Sequence, residues 1–134
     1  MCPAKIKEEV DSLAARGVKV KLIEAGGQWY VLAEVLPAPS PPWDRPAYDI
    51  LVAIPAAYDA GPLDGFYIGL PYKFNDSTHP RVNGSVIQVE GRSWQLVSWH
   101  YPEGKPWQQG KDDLDSHLTQ CRGFFLHRGA INAR

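Results

Sequence analysis

The sequence predicts an α+β protein that folds as one domain over residues 1–134. Three observations lead to this prediction: a length close to the commonest single-domain size, helix-type spacing of apolar residues near both ends, and short β-rich runs separated by turn residues. We expect an N-terminal helix, a four-strand antiparallel meander, and a C-terminal helix packed on the same face of the sheet.

The first helix is predicted between residues 5 and 16. Ile6, Val10 and Leu13 follow the spacing of one helical face. Gly17 comes directly after this segment and can end the helix, because glycine tolerates the left-handed conformation common at helix ends.

A hairpin and a proline-rich loop are predicted next. The β-rich runs 18–25 and 28–35 are separated only by Gly26 and Gly27, which tolerate the positive φ angles of a tight turn. Residues 36–46 then contain five prolines, which remove backbone donors and favour an extended connection. We place this loop inside the domain.

The remaining strands follow from β-rich composition and turn signals. Residues 48–54 are apolar on both alternating faces, as expected of a central strand, and residues 66–70 form a short fourth strand. Residues 85–99 predict another hairpin, with Glu90 and Gly91 at its bend.

The last helix is predicted between residues 112 and 121. Asp112 or Asp113 could cap its N-terminus, since a carboxylate there accepts hydrogen bonds from free backbone N–H groups. Its apolar face, which should pack on the sheet, is formed by Leu114, Leu118, Cys121 and Phe125.

Charge and composition exclude several classes of protein. The formal net charge of -1 provides no field to attract nucleic acid or an anionic membrane. Apolar runs such as residues 50–57 are far shorter than the roughly 20 residues of a membrane-spanning helix, and the N-terminus lacks the pattern of a secretory signal. Only Cys2 and Cys121 are present, so no disulfide framework is expected. We expect a cytoplasmic protein.

Several motifs match a known superfamily. A Pro-x-x-Tyr turn at residues 55–58 is followed by Pro62 and Phe66, residues 79–81 read His-Pro-Arg, and Trp107 precedes the last helix. This series resembles the ubiquitin-conjugating-enzyme (UBC) superfamily, which has His-Pro-Asn at the triplet. The resemblance implies the UBC fold.

A more specific likeness covers the C-terminal two-thirds of the chain. Residues 94–100 (WQLVSWH), followed by Trp107, Gly110 and the run 112–114, are similar to the bacterial UBC-like group called prokaryotic family E. That resemblance implies a conjugation pathway with three protein partners: a ubiquitin-like modifier, an activating enzyme and a JAB-type metallopeptidase. It implies no cofactor.

The nucleophilic cysteine of the superfamily is absent. Counting back from Trp107 by the spacing of the family leads to residues 99–100, where no cysteine stands. Ser98 and His100 are two residues apart and would share one strand face. An oxyester at Ser98, with His100 as general base and Asp112 or Asp113 orienting the imidazole, could replace the thioester. The alternative is an ordinary strand serine beside a hydrogen-bonded structural histidine.

Other residues have simpler roles. Trp43 and Trp107 lie in loops and, with His79, are candidates for partner binding. The four histidines form no compact ligand motif, so no metal site is predicted. Cys121 is expected in the core and Cys2 at an exposed terminus.

Two functions of different classes remain open. The first is a UBC-like component that carries or positions an activated ubiquitin-like modifier. The second is a catalytically inactive binding module that holds a ubiquitin-like protein or peptide noncovalently. The missing cysteine favours the module, whereas Ser98 with His100 favours transfer chemistry.

Overall fold

The structure, a computed structural model, describes residues 2–101 and 104–126. Helix α1 opens the chain and helix α2 closes the described part, with six strands between them. The elements are α1 Ala4–Ala15, β1 Val20–Ala25, β2 Gln28–Pro37, β3 Ala47–Ile54, β4 Phe66–Gly69, β5 Val82–Val89, β6 Arg92–Val97 and α2 Leu114–Leu126.

The six strands form one antiparallel sheet in the order β1-β2-β3-β4-β6-β5. The prediction of a four-strand meander was therefore wrong in its strand count. The β5–β6 hairpin, predicted at residues 85–99, extends the meander because β6 pairs along the free edge of β4, from Phe66 opposite Val97 to Gly69 opposite Trp94. The backbone of β4 is thereby hydrogen-bonded on both sides.

The two predicted hairpin turns are confirmed. Gly26 and Gly27 have φ angles of 59° and 83°, and Glu90 and Gly91 have φ angles of 54° and 74°. Two successive positive φ angles are the signature of the tight turns whose twist matches that of the flanking strands.

The main core lies between both helices and one face of the sheet, as the sequence predicts. From α1 it receives the predicted stripe Ile6, Val10 and Leu13. The sheet contributes residues such as Val31, Ile50, Val52, Phe66 and Ile68. From α2 it receives Leu114, Leu118, Cys121, Phe124 and Phe125.

Helix α2 is fixed at its N-terminus by two carboxylates. Asp113 caps the helix, because its Oδ1 accepts the backbone N–H of Ser116 at 2.9 Å. Glu9 of α1 accepts the backbone N–H of Leu114 at 2.9 Å and the hydroxyl of Tyr58 at 2.7 Å through the same Oε1. These bonds set the start of α2 relative to α1.

The opposite face of the sheet has a smaller apolar cluster of Ile23, Leu32, Leu51, Val89 and Trp94. The guanidinium of Arg92 lies 4.5 Å above the Trp94 ring and forms an ion pair with Asp49 at 3.0 Å.

Neither helix of the described residues is long and apolar enough to cross a bilayer.

Candidate functional site

A groove lies where β6 ends, between the loop before β4 and the segment that leads to α2. Its volume is about 510 Å³, within the range of clefts that bind small ligands or short peptide segments. We call it the His100 groove, and it is lined by Ala60, Pro62, Leu63, Asp64, His100, Tyr101, Pro106, Trp107 and Gln109.

Sheet register places Asp64 and His100 of the groove beside each other. Phe66, the first residue of β4, pairs with Val97, the last residue of β6. The residues just before β4 and just after β6 therefore lie next to each other, at the same end of these two paired strands. Asp64 and His100 meet there, although 36 positions separate them in the sequence.

The imidazole of His100 is oriented by Asp64. Nδ1 of His100 lies 3.0 Å from Oδ1 and 3.2 Å from Oδ2 of Asp64. Because an ionised carboxylate can only accept hydrogen bonds, Nδ1 carries the hydrogen and neutral His100 keeps a lone pair on Nε2. Nε2 makes no hydrogen bond to any described residue. About half of the His100 side chain is exposed, so this nitrogen is accessible to a ligand.

Trp107 forms the aromatic wall of the groove. Its ring centroid lies 6.0 Å from that of Tyr58 and 5.9 Å from that of Tyr101. The indole is partly exposed, so it can still contact a bound segment. A partner-binding role for Trp107 stays a prediction, and its position beside His100 agrees with that role.

The structure gives Ser98 a partner other than His100. The Ser98 hydroxyl donates to Oδ1 of Asn83 at 2.7 Å, and its backbone N–H donates to the carbonyl of Arg81 at 2.7 Å. Within residues 2–101 and 104–126, no hydrogen bond joins Ser98 to His100. The predicted serine-histidine pair is therefore not assembled in this conformation.

The predicted orienting carboxylates serve the loop and helix instead. Asp112 accepts the backbone N–H of Gln108 at 2.7 Å and the hydroxyl of Ser116 at 3.2 Å. Asp113 is the helix cap described above. Among the described residues, the carboxylate that bonds His100 is Asp64, which the sequence analysis did not single out.

Two other candidates for partner binding lie in the core. Trp43 is only 2% exposed, and its Nε1 donates to the carbonyl of Phe125 at 3.2 Å. His79 is 1% exposed and stacks on Trp43, with ring centroids 5.7 Å apart and planes at 6°. Neither ring is available at the surface, because the proline-rich loop folds its tryptophan inward onto α2.

The buried state of His79 has a consequence for stability. Burial, reinforced by the positive charge of Arg81, lowers the pKa of His79 from 6.5 to about 4. Its Nδ1 accepts the backbone N–H of Arg81 at 3.0 Å, and its Nε2 has no partner among the described residues. His79 is therefore a neutral core residue at physiological pH.

The chain is expected to lose stability as the pH falls from 6.5 to 4. In this range the unfolded state binds a proton at His79 and the folded state does not, so His79 alone removes about 3 kcal/mol of unfolding free energy by pH 4. Urea denaturation of the parent and of His79→Phe between pH 7 and pH 4 measures this loss. The variant should lose less stability over the range, and equal pH slopes would contradict the assignment.

Thiols and metal ligands are not gathered at this site. Cys121 is buried in the core, where burial raises the pKa of its thiol, and Cys2 lies beside α1. No group of three or more metal-ligating side chains occurs in the described part of the chain. The chemistry that the groove itself offers is that of an imidazole oriented by a carboxylate.

Comparison with known proteins agrees with this architecture. The model of the family described as "Prokaryotic E2 family E" matches residues 6–126. The chain belongs to prokaryotic E2 family E. No curated protein and no solved structure matches the chain. The resemblance drawn from residues 94–100, Trp107 and the run 112–114 is thereby confirmed.

Membership in family E defines the general role of the chain. It is a UBC-like component of a conjugation pathway, with a ubiquitin-like modifier and an activating enzyme as partners in general. The described residues that line its groove include an oriented histidine and no cysteine.

Proposed function

We propose that this chain promotes transfer of an activated ubiquitin-like modifier by holding the C-terminal segment of the modifier in the His100 groove and supplying a general base there. One observation supports this function above others. The described residues that line the groove include an oriented imidazole but no cysteine, serine, threonine or lysine. The groove thus offers a base without a nucleophile of its own.

In this function, the nucleophile comes from the acceptor molecule. An acceptor amine attacks the carbonyl carbon of the modifier C-terminus, which the activating enzyme presents as a thioester or an acyl-adenylate. The C–N bond forms, the bond to the thiolate or AMP leaving group breaks, and Nε2 of His100 takes the proton that the amine loses. Asp64 stabilises the imidazolium that forms, because its carboxylate already accepts the Nδ1–H bond. A base positioned in this way typically contributes about 10²–10⁴-fold to the rate.

The walls of the groove suit an extended peptide segment. Pro62 on one side and Pro106 and Trp107 on the other provide apolar surface, and Gln109 provides an amide. An extended backbone can lie along such walls and place its terminal carbonyl near His100. Recognition of this kind depends on aromatic and proline surfaces more than on charge.

A second candidate function is covalent carriage of the modifier by Ser98. Its support is the sequence position of Ser98, two residues before His100 on the segment that reaches the groove. The Ser98 hydroxyl would have to leave Asn83, and His100 would have to turn toward it, before the proton could be transferred.

Partnership with a JAB-type metallopeptidase stays a prediction.

The test is a reconstituted reaction with the modifier, its activating enzyme, ATP and an amine acceptor. We expect the chain to accelerate formation of the acceptor conjugate, and we expect the modifier to bind to it, measured by titration calorimetry. Binding without acceleration would contradict the transfer function and would favour the noncovalent binding module. Acceleration without binding to the isolated modifier would place recognition on the activating enzyme instead.

A further inference from the structure

A buried histidine of α2 links the two segments that form the groove. His117 is 1% exposed, and both of its ring nitrogens are hydrogen-bonded. Nδ1 lies 2.7 Å from the hydroxyl of Tyr101, and Nε2 lies 2.9 Å from the carbonyl of Gly65. One side chain therefore bonds a residue on each side of the groove.

These two contacts involve residues directly adjacent to Asp64 and His100. Gly65 directly follows Asp64, and Tyr101 directly follows His100. The hydrogen bond between Asp64 and His100 and the bridge through His117 are thus parallel connections between the same two segments. The first is half-exposed and faces the groove, whereas the second is buried behind it.

We propose that His117 is a positioning residue that holds Asp64 within hydrogen-bonding distance of His100. The role of this positioning in transfer rests on the proposed function, whereas the positioning itself does not. A half-exposed hydrogen bond between two loop segments is weak by itself, because water competes for its donor and acceptor and the two side chains lose conformational freedom. A buried bridge between the neighbouring residues reduces that loss.

The hydrogen-bonding directions assign one protonation state to His117. A carbonyl only accepts, so Nε2 must donate its hydrogen to Gly65, and in a neutral imidazole Nδ1 then accepts the hydroxyl hydrogen of Tyr101. Burial raises the pKa of Tyr101 and lowers the pKa of His117. The phenol therefore keeps its hydrogen and the imidazole stays neutral, which gives the Tyr101 hydroxyl as donor to Nδ1 and Nε2–H as donor to Gly65.

The position of His117 also argues against a role in packing alone. Its nearest helix neighbours on the buried face, Leu114, Leu118 and Cys121, are apolar core residues. An imidazole costs more to bury there than a leucine unless its two nitrogens find partners. The partners that it finds are the backbone and side chain next to Asp64 and His100.

The test uses the neutral tautomer of His100, read from side-chain ¹⁵N chemical shifts of the isolated chain. In the parent, His100 should be predominantly the Nδ1–H tautomer, because Asp64 accepts that hydrogen. In His117→Phe, which keeps a ring but removes both bonds, we expect the Nε2–H tautomer to become comparably populated. Leu118→Ala is the matched control, since it destabilises the same helix without removing a bond to the groove.

A second variant covers the case in which His117→Phe does not fold. Tyr101→Phe removes only one hydroxyl, and we expect the same change of tautomer to a smaller extent. Parent-like tautomers of His100 in the folded His117→Phe, or in Tyr101→Phe if that is the only folded variant, would overturn the proposal. An equal shift in Leu118→Ala would also overturn it, because general destabilisation would then explain the effect.

Transfer measurements separate this inference from the proposed function. His117→Phe should slow transfer by up to about 100-fold, as expected for a misplaced catalytic group, but it should have no further effect in the His100→Ala background. A changed tautomer with an unchanged transfer rate would support the positioning role and contradict the proposed function. An additional loss of rate in the His100→Ala background would contradict positioning through His100.

Discussion

Replacing His100 by alanine is expected to slow conjugate formation by about 10²–10⁴-fold, the usual contribution of a positioned general base. The reason is that Nε2 of His100 is the basic nitrogen that Asp64 orients at the groove. The rate should be measured under single-turnover conditions with the modifier already activated. Affinity for the modifier should change little, because the walls of the groove remain.

Two further variants sharpen this prediction. Asp64→Asn keeps the size of the side chain but removes its charge, so it should also slow transfer while the fold is retained. Gln109→Ala changes the same groove without removing the base, because Gln109 donates to Asp59 at 3.3 Å and makes no hydrogen bond to His100 among the described residues; it should weaken modifier binding but leave the single-turnover rate at saturation close to that of the parent. A His100→Ala protein with the transfer rate of the parent would contradict the general-base role.

Replacing Trp43 by alanine is expected to lower the free energy of unfolding by about 3–5 kcal/mol, the range for large aromatic residues removed from a core. Trp43 is 2% exposed and contacts the rings of Tyr48, Phe74, His79 and Phe125. Its loss would leave a cavity where the proline-rich loop packs on α2. Urea denaturation followed by circular dichroism measures the change.

Trp29 provides the matched control for Trp43. It is also a tryptophan, but it lies on β2 and is only partly buried against the core. Trp29→Ala should therefore cost less than Trp43→Ala. An equal or smaller loss for Trp43→Ala would mean that the proline-rich loop does not depend on its tryptophan for packing.

Local patterns in the sequence were sufficient for most elements. The stripe of Ile6, Val10 and Leu13 predicted α1, and the pairs Gly26-Gly27 and Glu90-Gly91 predicted both hairpin turns. These features depend only on residues near each other in the chain. The number of strands in the sheet could not be obtained this way, because the pairing of β6 with β4 joins segments that are separated by β5.

The site shows the same distinction between local and long-range information. His100 was found from its distance to Trp107, which is a local spacing. Asp64 was missed because only the register of β4 against β6 places it beside His100. Its sequence neighbours form a turn-rich segment, in which an aspartate has no distinguishing pattern. The nearer candidates in the sequence, Asp112 and Asp113, instead hold the loop and the start of α2.

The burial of Trp43 and His79 could also not be predicted from the sequence. Trp43 lies among five prolines, a composition typical of exposed connections. The loop nevertheless turns its tryptophan onto Phe125, and His79 stacks on the same ring. These contacts join three distant parts of the chain. No local pattern distinguishes such an anchored aromatic residue from one that contacts a partner.

The most direct test of the central claim, that the groove supplies a base and no nucleophile, is the intact mass of this chain during modifier transfer. The reaction contains the modifier, its activating enzyme, ATP and an acceptor, and the mass is read before and after treatment with thiol reductant and with mild base. We predict that conjugate forms on the acceptor while this chain keeps its unmodified mass. An adduct of one modifier that survives reductant, is cleaved by mild base and disappears in Ser98→Ala would contradict the claim.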